Sequence, residues 1–331
     1  MLRDVAKTVK WFVAKEKKLN DSSLSFSQKL WCWKNGFFSL HPKLYGLNES
    51  NKDQYLDNIT YKKKHPINGI YSKLIDNKAF LHTIFPHTAD IQVIFQAGKE
   101  ISRKGLDFGP LFQSLQTWWN ANPEEKLIIK PLQGSGGKGV FELLKHDWEK
   151  TLRDKISNKD SFLINEKLDQ LDYSKQIFQG SVNTIRLVFF RDWETQYIHI
   201  AGCAHRFGTS FSVPVDNAGR NGMFTEIDHH TGVLGRSFIY LNKTYGGWHD
   251  SHPETKVQIN GIQIPQWTEK IAMVTDELTR LTWLKYGGLD LVFTKTGFKV
   301  LEINSLPDLE LVQMKTPLLS QKDFRNFFER L

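Results

Sequence analysis

Two short apolar stretches near the C-terminal end, residues 287–294 and 297–304, each enclose one acid, Asp290 in the first and Glu302 in the second. Their neighbours Leu289, Leu291, Leu301 and Ile303 mark a buried sheet rather than a solvated fringe. Lys295, Thr296 and Gly297 suit a three-residue hairpin loop, with the glycine taking a backbone conformation that other residues resist. That loop pairs Thr294 with Phe298, Val292 with Val300 and Asp290 with Glu302. Residues two apart on a strand share a face, so Asn304 joins Glu302. Directly opposed side chains have Cβ atoms only ~4.5–5.5 Å apart, and two carboxylates at that distance repel, so removing either should relieve the metal-free chain. A divalent cation resolves the conflict. Mg²⁺ takes hard oxygens and shares its coordination sphere with phosphate, and Mn²⁺ suits the same donors.

A second feature runs Lys130-Pro-Leu-Gln-Gly134-Ser135-Gly136-Gly137-Lys138-Gly139-Val140. Glycines let a backbone approach phosphate oxygens closely, and successive N–H groups cradle the anion. The spacing excludes three familiar loops. A Walker A loop needs Ser or Thr after its Gly-Lys pair, and here Lys138 is followed by Gly139. Gly134, Gly136 and Gly139 satisfy GxGxxG, yet that motif must open a helix, whereas residues 140–144 read as a returning strand. A protein kinase needs His-Arg-Asp and Asp-Phe-Gly further on, and neither occurs. What remains is a glycine loop between two antiparallel strands with a lysine before it. The plain competing reading is a flexible turn.

Around these motifs the chain divides into three. Residues 1–75 read as a helical, polar-rich opening, with Val5, Val9, Phe12 and Val13 at helical spacing among Lys7, Lys10, Lys15, Lys17 and Lys18. Such a basic amphipathic helix either packs on the next domain or touches a membrane surface peripherally. Residues 48–65, rich in Asn, Asp and Lys, read as surface connection. Residues 76–168 and 169–331 then alternate short strands and helices as an α+β fold. Strands are expected at 127–130, 161–164, 184–190, 196–207 and 232–241, and helices at 146–156 and, opening with Pro265, over 264–286. Only Cys32 and Cys203 occur, far apart, so no disulfide framework or cysteine zinc site is available and a reducing, cytoplasmic setting follows. No apolar run approaches the ~18 residues of a membrane span. His205, His229, His230, His249 and His252 are read as hydrogen-bonding side chains before a zinc site. Lys and Arg total 44 against 36 acids, a net charge of +8 that suits an anionic small molecule as well as it suits solubility.

In order, Asn77-Lys78, Lys130-Pro131 with the glycine loop, Asn165-Glu166-Lys167-Leu168, Asn183-Thr184-Ile185-Arg186, Val215-Asp216-Asn217, His252-Pro253-Glu254-Thr255, Asp290 and Glu302-Ile303-Asn304 resemble the ATP-grasp superfamily, in its sugar-transfer-associated branch related to α-L-glutamate ligases. The resemblance runs from about residue 70 to 313. It implies two α+β subdomains clamping ATP behind the helical N-terminal region. By the same resemblance Lys78 and Lys130 contact the phosphates, and Gly134, Ser135, Gly136, Gly137, Lys138 and Gly139 close over them. Glu166, Lys167 and Leu168 form the adenine hinge, and Asp169 or Asp172 holds the ribose. Asp290, Glu302 and Asn304 bind two Mg²⁺ ions, and Arg186 with Lys130 neutralises the transferred phosphoryl group. Arg206, Asp216, Asn217 and Arg220 fall where the acceptor or carboxylate sits. Two departures stand out: Asn77 replaces an aspartate before the lysine, and Asn221-Gly222 replaces a Gly-Gly pair.

The implied chemistry is ATP-dependent joining of a small-molecule carboxylate to an amine through an acyl phosphate, the partners being an amino acid and an amino sugar or glycan precursor in polysaccharide biosynthesis. The same ATP site could instead end in phosphoryl transfer to a hydroxyl, as in a kinase. A non-catalytic nucleotide-binding accessory is the third reading, and the intact Asp290, Glu302 and Asn304 set argues against it. Nothing in the pattern calls for nucleic acid, and the oligomeric state is left open.

Overall fold

A computed structural model describes residues 2–89, 92–96, 99–104, 111–122, 126–132, 136–155, 161–240 and 244–331. The chain opens with α1 (Leu2–Glu16), α2 (Phe26–Lys34), α3 (His41–Tyr45), α4 (Asn58–Lys64), α5 (Tyr71–Ile75) and α6 (Leu81–Ile84). Local chemistry sets their ends: Ser25 and Gln28 cap α2 reciprocally, and the Asp57 carboxylate accepts from Ile59 and Thr60 to start α4. A five-stranded antiparallel sheet follows, from β1 (Gln92–Gln96), β2 (Lys99–Lys104), β3 (Leu127–Pro131), β4 (Phe141–Leu143) and β5 (Phe162–Glu166), in the order β2-β1-β5-β3-β4. Helices α7 (Leu111–Ala121) and α8 (Trp148–Lys155) lie between its strands in sequence, and α9 (Asp172–Ile177) leads out of it.

The second sheet has seven antiparallel strands: β6 (Ile185–Arg191), β7 (Ile198–Phe207), β8 (Met223–Ile227), β9 (Leu234–Ile239), β10 (Gly247–His249), β11 (Tyr286–Thr294) and β12 (Gly297–Asn304). Their order, β10-β9-β8-β7-β6-β11-β12, puts β6 beside β11 although almost a hundred residues separate them. Both faces of this sheet are covered. Val274 and Leu278 of α10 (Trp267–Arg280) pack on Leu187, Phe189, Leu289 and Leu291 on one side. On the other, Phe12, Phe38, Tyr45 and Tyr61 of the N-terminal helices join Phe190, Tyr286 and, from α11 (Lys322–Glu329), Phe324 and Phe327 in a single core. Double coverage explains why β6 is buried along its whole length, with the apolar run Leu187–Phe190 at its centre.

Three sequence expectations change. Residues 48–65 are not mere connection: they hold a 3₁₀ turn (Lys52–Gln54) and α4, anchored by buried Tyr55, Leu56 and Tyr61. The helix expected over 264–286 stops at Arg280, because Leu281 leaves helical backbone and Tyr286 is claimed by pairing with Phe190. The hairpin between β11 and β12 turns through two residues, since Thr294 faces Gly297 and Val292 faces Lys299. A bulge between Asp290 and Leu291 then restores the Asp290–Glu302 opposition.

Candidate functional site

Asp290 is the centre of a buried charge cluster rather than one half of a repelling pair. Arg186 stands directly across from it on β6, and its guanidinium donates to both carboxylate oxygens, at 2.5 and 3.2 Å. Arg206, on the next strand over, donates to Asp290 Oδ2 at 2.9 Å and to the Thr184 hydroxyl. Asp216 completes the set: its Oδ2 accepts from the Thr184 amide at 2.7 Å and hydroxyl at 2.6 Å and lies 3.6 Å from Arg206 Nε. Burial by itself would raise the Asp290 carboxyl, but the Arg186 and Arg206 charges outweigh it and hold the group below the ordinary range. Glu302 has a partner of its own, its Oε1 lying 3.5 Å from Lys78 Nζ. Each opposed acid thus has its own cation, which is how the sheet tolerates the opposition.

These residues form one side of a cleft of about 840 Å³ between the two sheets. The five-stranded sheet contributes Ile128 and Lys130 of β3, Glu166 at the end of β5, and Lys167 and Leu168 beyond it. Burial pushes the Lys130 ammonium down to about 8, against the pull of Glu302, with Lys78 adding to the drop. Anionic phosphate arriving beside it would raise that value again and hold the full charge. The turn 136–139 bends over the cleft with Gly136, Gly137 and Gly139 at positive φ. At Gly137 a Cβ would lie 2.8 Å from Val215, and the Gly137 carbonyl accepts from Arg220 at 2.9 Å. Loop 214–222 therefore supports the turn from below. In that loop Asn221 sits at φ 67°, a conformation asparagine tolerates, which accounts for Asn-Gly in place of Gly-Gly. Asp76 accepts from the Ser305 amide and hydroxyl at 2.7 and 2.6 Å, tying the Asn77-Lys78 segment to the end of β12.

Of the residues singled out from sequence, Lys78, Lys130, Gly136, Gly137, Lys138, Gly139, Glu166, Lys167 and Leu168 line the cleft. So do Arg186, Arg206, Asp216, Asn217, Arg220, Asp290, Glu302 and Asn304. Gly134 and Ser135 lie outside the described residues. Asp169 and Asp172 both pair with Lys175, on α9, and neither lines the cleft. Three of the five histidines singled out hydrogen-bond through their rings: His205 meets the Tyr173 hydroxyl at 2.8 Å, His252 the Gly208 carbonyl at 2.8 Å and His249 the Tyr245 carbonyl at 2.6 Å, while the rings of His229 and His230 lie against each other. Among the described residues no group of three His, Cys, Asp or Glu is arranged to hold a metal. Thr184 was passed over although it lies inside a quoted motif, and Lys15, Lys18, Tyr240 and Asp308 carried no local signal. The donors do suit Mg²⁺ in kind. Glu302 and Asn304 face the cleft with hard oxygens, and the buried Asn304 amide nitrogen has no hydrogen-bond partner among the described residues.

Residues 70–324 match the family described as sugar-transfer associated ATP-grasp. The chain belongs to that family. Its two sheets, with a glycine turn over the cleft between them, are the ATP-grasp fold. Among solved structures, a D-cycloserine synthetase is 14% identical, with 78% of this chain covering 71% of that one at a TM-score of 0.42. D-alanine–D-alanine ligase from Bacillus anthracis is 12% identical, with coverages of 80% and 74% and a TM-score of 0.43. An ATP-grasp ligase solved with minimal precursor, Mg and ADP is 13% identical, with coverages of 80% and 62% and a TM-score of 0.40. No curated protein matches the chain. Membership in the ATP-grasp family supports ATP-dependent ligation in general. Among the described residues no helix is long and apolar enough to cross a membrane.

Proposed function

We propose that this ATP-grasp protein joins a small-molecule carboxylate to an amine through an acyl phosphate. The observation that carries the reading is the buried set of Arg186, Arg206, Asp290 and Asp216 facing Lys130 and Lys78 across one cleft. The barrier to carboxylate phosphorylation is the approach of two anions. Lys130 meets the phosphates from the five-stranded sheet and Lys78 from beside Glu302, and Arg186, held rigid by Asp290, faces the incoming oxygen. Both arginines are pre-aimed by buried acids, so little reorganisation accompanies the reaction. Turn 136–139, latched by Arg220, keeps water from the reactive anhydride. Glu302, Asn304 and Asp290 would hold Mg²⁺, which screens phosphate charge when bound. Ile128, Leu168 and Leu301 offer an apolar slot for a base, and the backbone around Lys167 its polar edge.

The donor carboxylate and the amine are taken to be an amino acid and an amino sugar or glycan precursor, in keeping with the family's description. Hydroxylamine added with ATP, Mg²⁺ and the correct carboxylate should yield a hydroxamate. A stable phosphorylated product at full turnover, with no hydroxamate, would instead make the protein a kinase. ADP release alone does not separate the two.

A further inference from the structure

The segment before the family-matched region forms part of the cleft wall. That region begins at residue 70, yet Lys15, Lys18 and Leu19, at and just past the end of α1, line the same cleft as Arg186 and Asp290. Their placement is enforced by packing: Phe12 and Leu19 are buried in the core shared with the seven-stranded sheet, and the Glu16 carboxylate accepts from the Ser39 amide and hydroxyl at 3.0 and 2.6 Å. Lys15 reaches across to Asp308, with Nζ 2.6 Å from Oδ1, and Asp308 lies a few residues beyond Glu302 and Asn304. Lys18 is exposed, and no acid pairs with it among the described residues. Deeper in, Arg186 and Arg206 are matched by Asp290 and Asp216. At this end of the cleft Lys15 is matched by Asp308, while Lys18 is a positive charge with no paired acid among the described residues, and the Tyr240 phenol lines the same cleft.

We propose that Lys15 and Lys18 are specificity residues of the second-substrate subsite and select a small molecule bearing an anionic group, a carboxylate or a phosphate. The proposal rests on the ligase reading, because it assigns the substrate that meets the activated carboxylate near Arg186. ATP has its own lysines, Lys130 on the five-stranded sheet and Lys78 beside Glu302, so a charge supplied by α1 serves the other reactant. The appended helices thereby tune substrate choice without altering the nucleotide site.

The test uses the full chain in two stages. Calorimetry first measures ATP binding with Mg²⁺ in the wild type and in Lys15→Met, Lys18→Glu and Lys18→Arg; affinities are expected to agree within about twofold. With ADP and Mg²⁺ present, ligand-observed NMR then titrates amino acids, sugar phosphates, inorganic phosphate and neutral sugars. Anionic members should bind the wild type, weaken about tenfold or more with Lys15→Met and Lys18→Glu, and recover with Lys18→Arg, since a tenfold loss is about 1.4 kcal/mol, the scale of one charged contact. Lys18→Glu keeps the test sound if Lys15→Met perturbs folding, because Lys18 is exposed. Binding confined to amino acids assigns carboxylate, and binding confined to phosphorylated compounds assigns phosphate. The proposal is overturned if only neutral sugars bind, if anions bind regardless of either lysine, or if no panel member binds. A wild type that does not bind ATP would remove the ligase reading itself, a different failure.

Discussion

At the scale of single residues, charge pairing decides what each carboxylate does. Opposition of Asp290 and Glu302 suggests that deleting either relieves repulsion, but the pairing of Asp290 with two arginines reverses that expectation. Asp290→Ala should lower stability by about 3–5 kcal/mol, because it strands the buried Arg186 guanidinium and leaves Arg206 with Asp216 alone. Glu302→Gln, at a half-buried site with one distant lysine, should shift it by less than about 1 kcal/mol. Both should abolish turnover, and thermal unfolding beside an ADP assay separates the two effects. The Asp290 contribution has a defined pH window. Its folded carboxyl is depressed, so its stability is fully present above the unfolded value near ~3.9 and is lost as pH falls below it. Lys130 behaves oppositely. Burial puts it at about 8, so near that pH nucleotide binding should take up protons. Calorimetry at pH 8 in buffers of different ionisation enthalpy would show this, and Lys130→Met should remove most of the uptake.

At the scale of elements, the turn 136–139 and loop 214–222 work as a pair. Gly137 has φ 68° and no room for a Cβ against Val215. Gly137→Ala should hold the turn off the cleft at a strain of roughly 1–3 kcal/mol, raising the KM for ATP up to about a hundredfold. ATP hydrolysis without product should rise relative to ligation, because water then reaches the anhydride. An unchanged ratio of ADP to ligated product would show that the turn is not a lid. The hairpin between β11 and β12 illustrates the limit of reading turns. Lys-Thr-Gly fits a three-residue loop locally, but pairing of β11 with β6 settles the register, and a bulge absorbs the difference.

At the scale of the whole molecule, the N-terminal helices and the seven-stranded sheet share one core. Asn68 shows how tightly: its amide donates to the Tyr286 carbonyl at 2.7 Å, and its Oδ1 accepts from the amides of Lys285 and Tyr286. Tyr61 and Tyr286 hydroxyls meet at 2.9 Å nearby. Asn68→Ala should cost about 1–3 kcal/mol and lower Tm by several degrees, since it leaves buried backbone groups unpaired. Calorimetry should show residues 2–89 melting together with the sheet. A separate early transition would mean that the helices are an independent unit.

The residues that line the cleft were legible in the sequence because their motifs are local. A glycine run beside a lysine, two acids inside apolar strands and an Asn-Thr-Ile-Arg strand start each carry their meaning within a few positions. The longer strands β6, β7, β11 and β12 announced themselves through apolar runs, whereas β1, β2, β8 and β10 were not read from the sequence. Other features depended on residues far apart in the chain. Arg186 meets Asp290 only because β6 and β11 are neighbours, and Lys15 meets Asp308 across 293 positions because α1 packs on the same core. No local pattern encodes such pairings. They arise when doubly covered strands choose their neighbours by burial, and that choice belongs to the folded molecule as a whole.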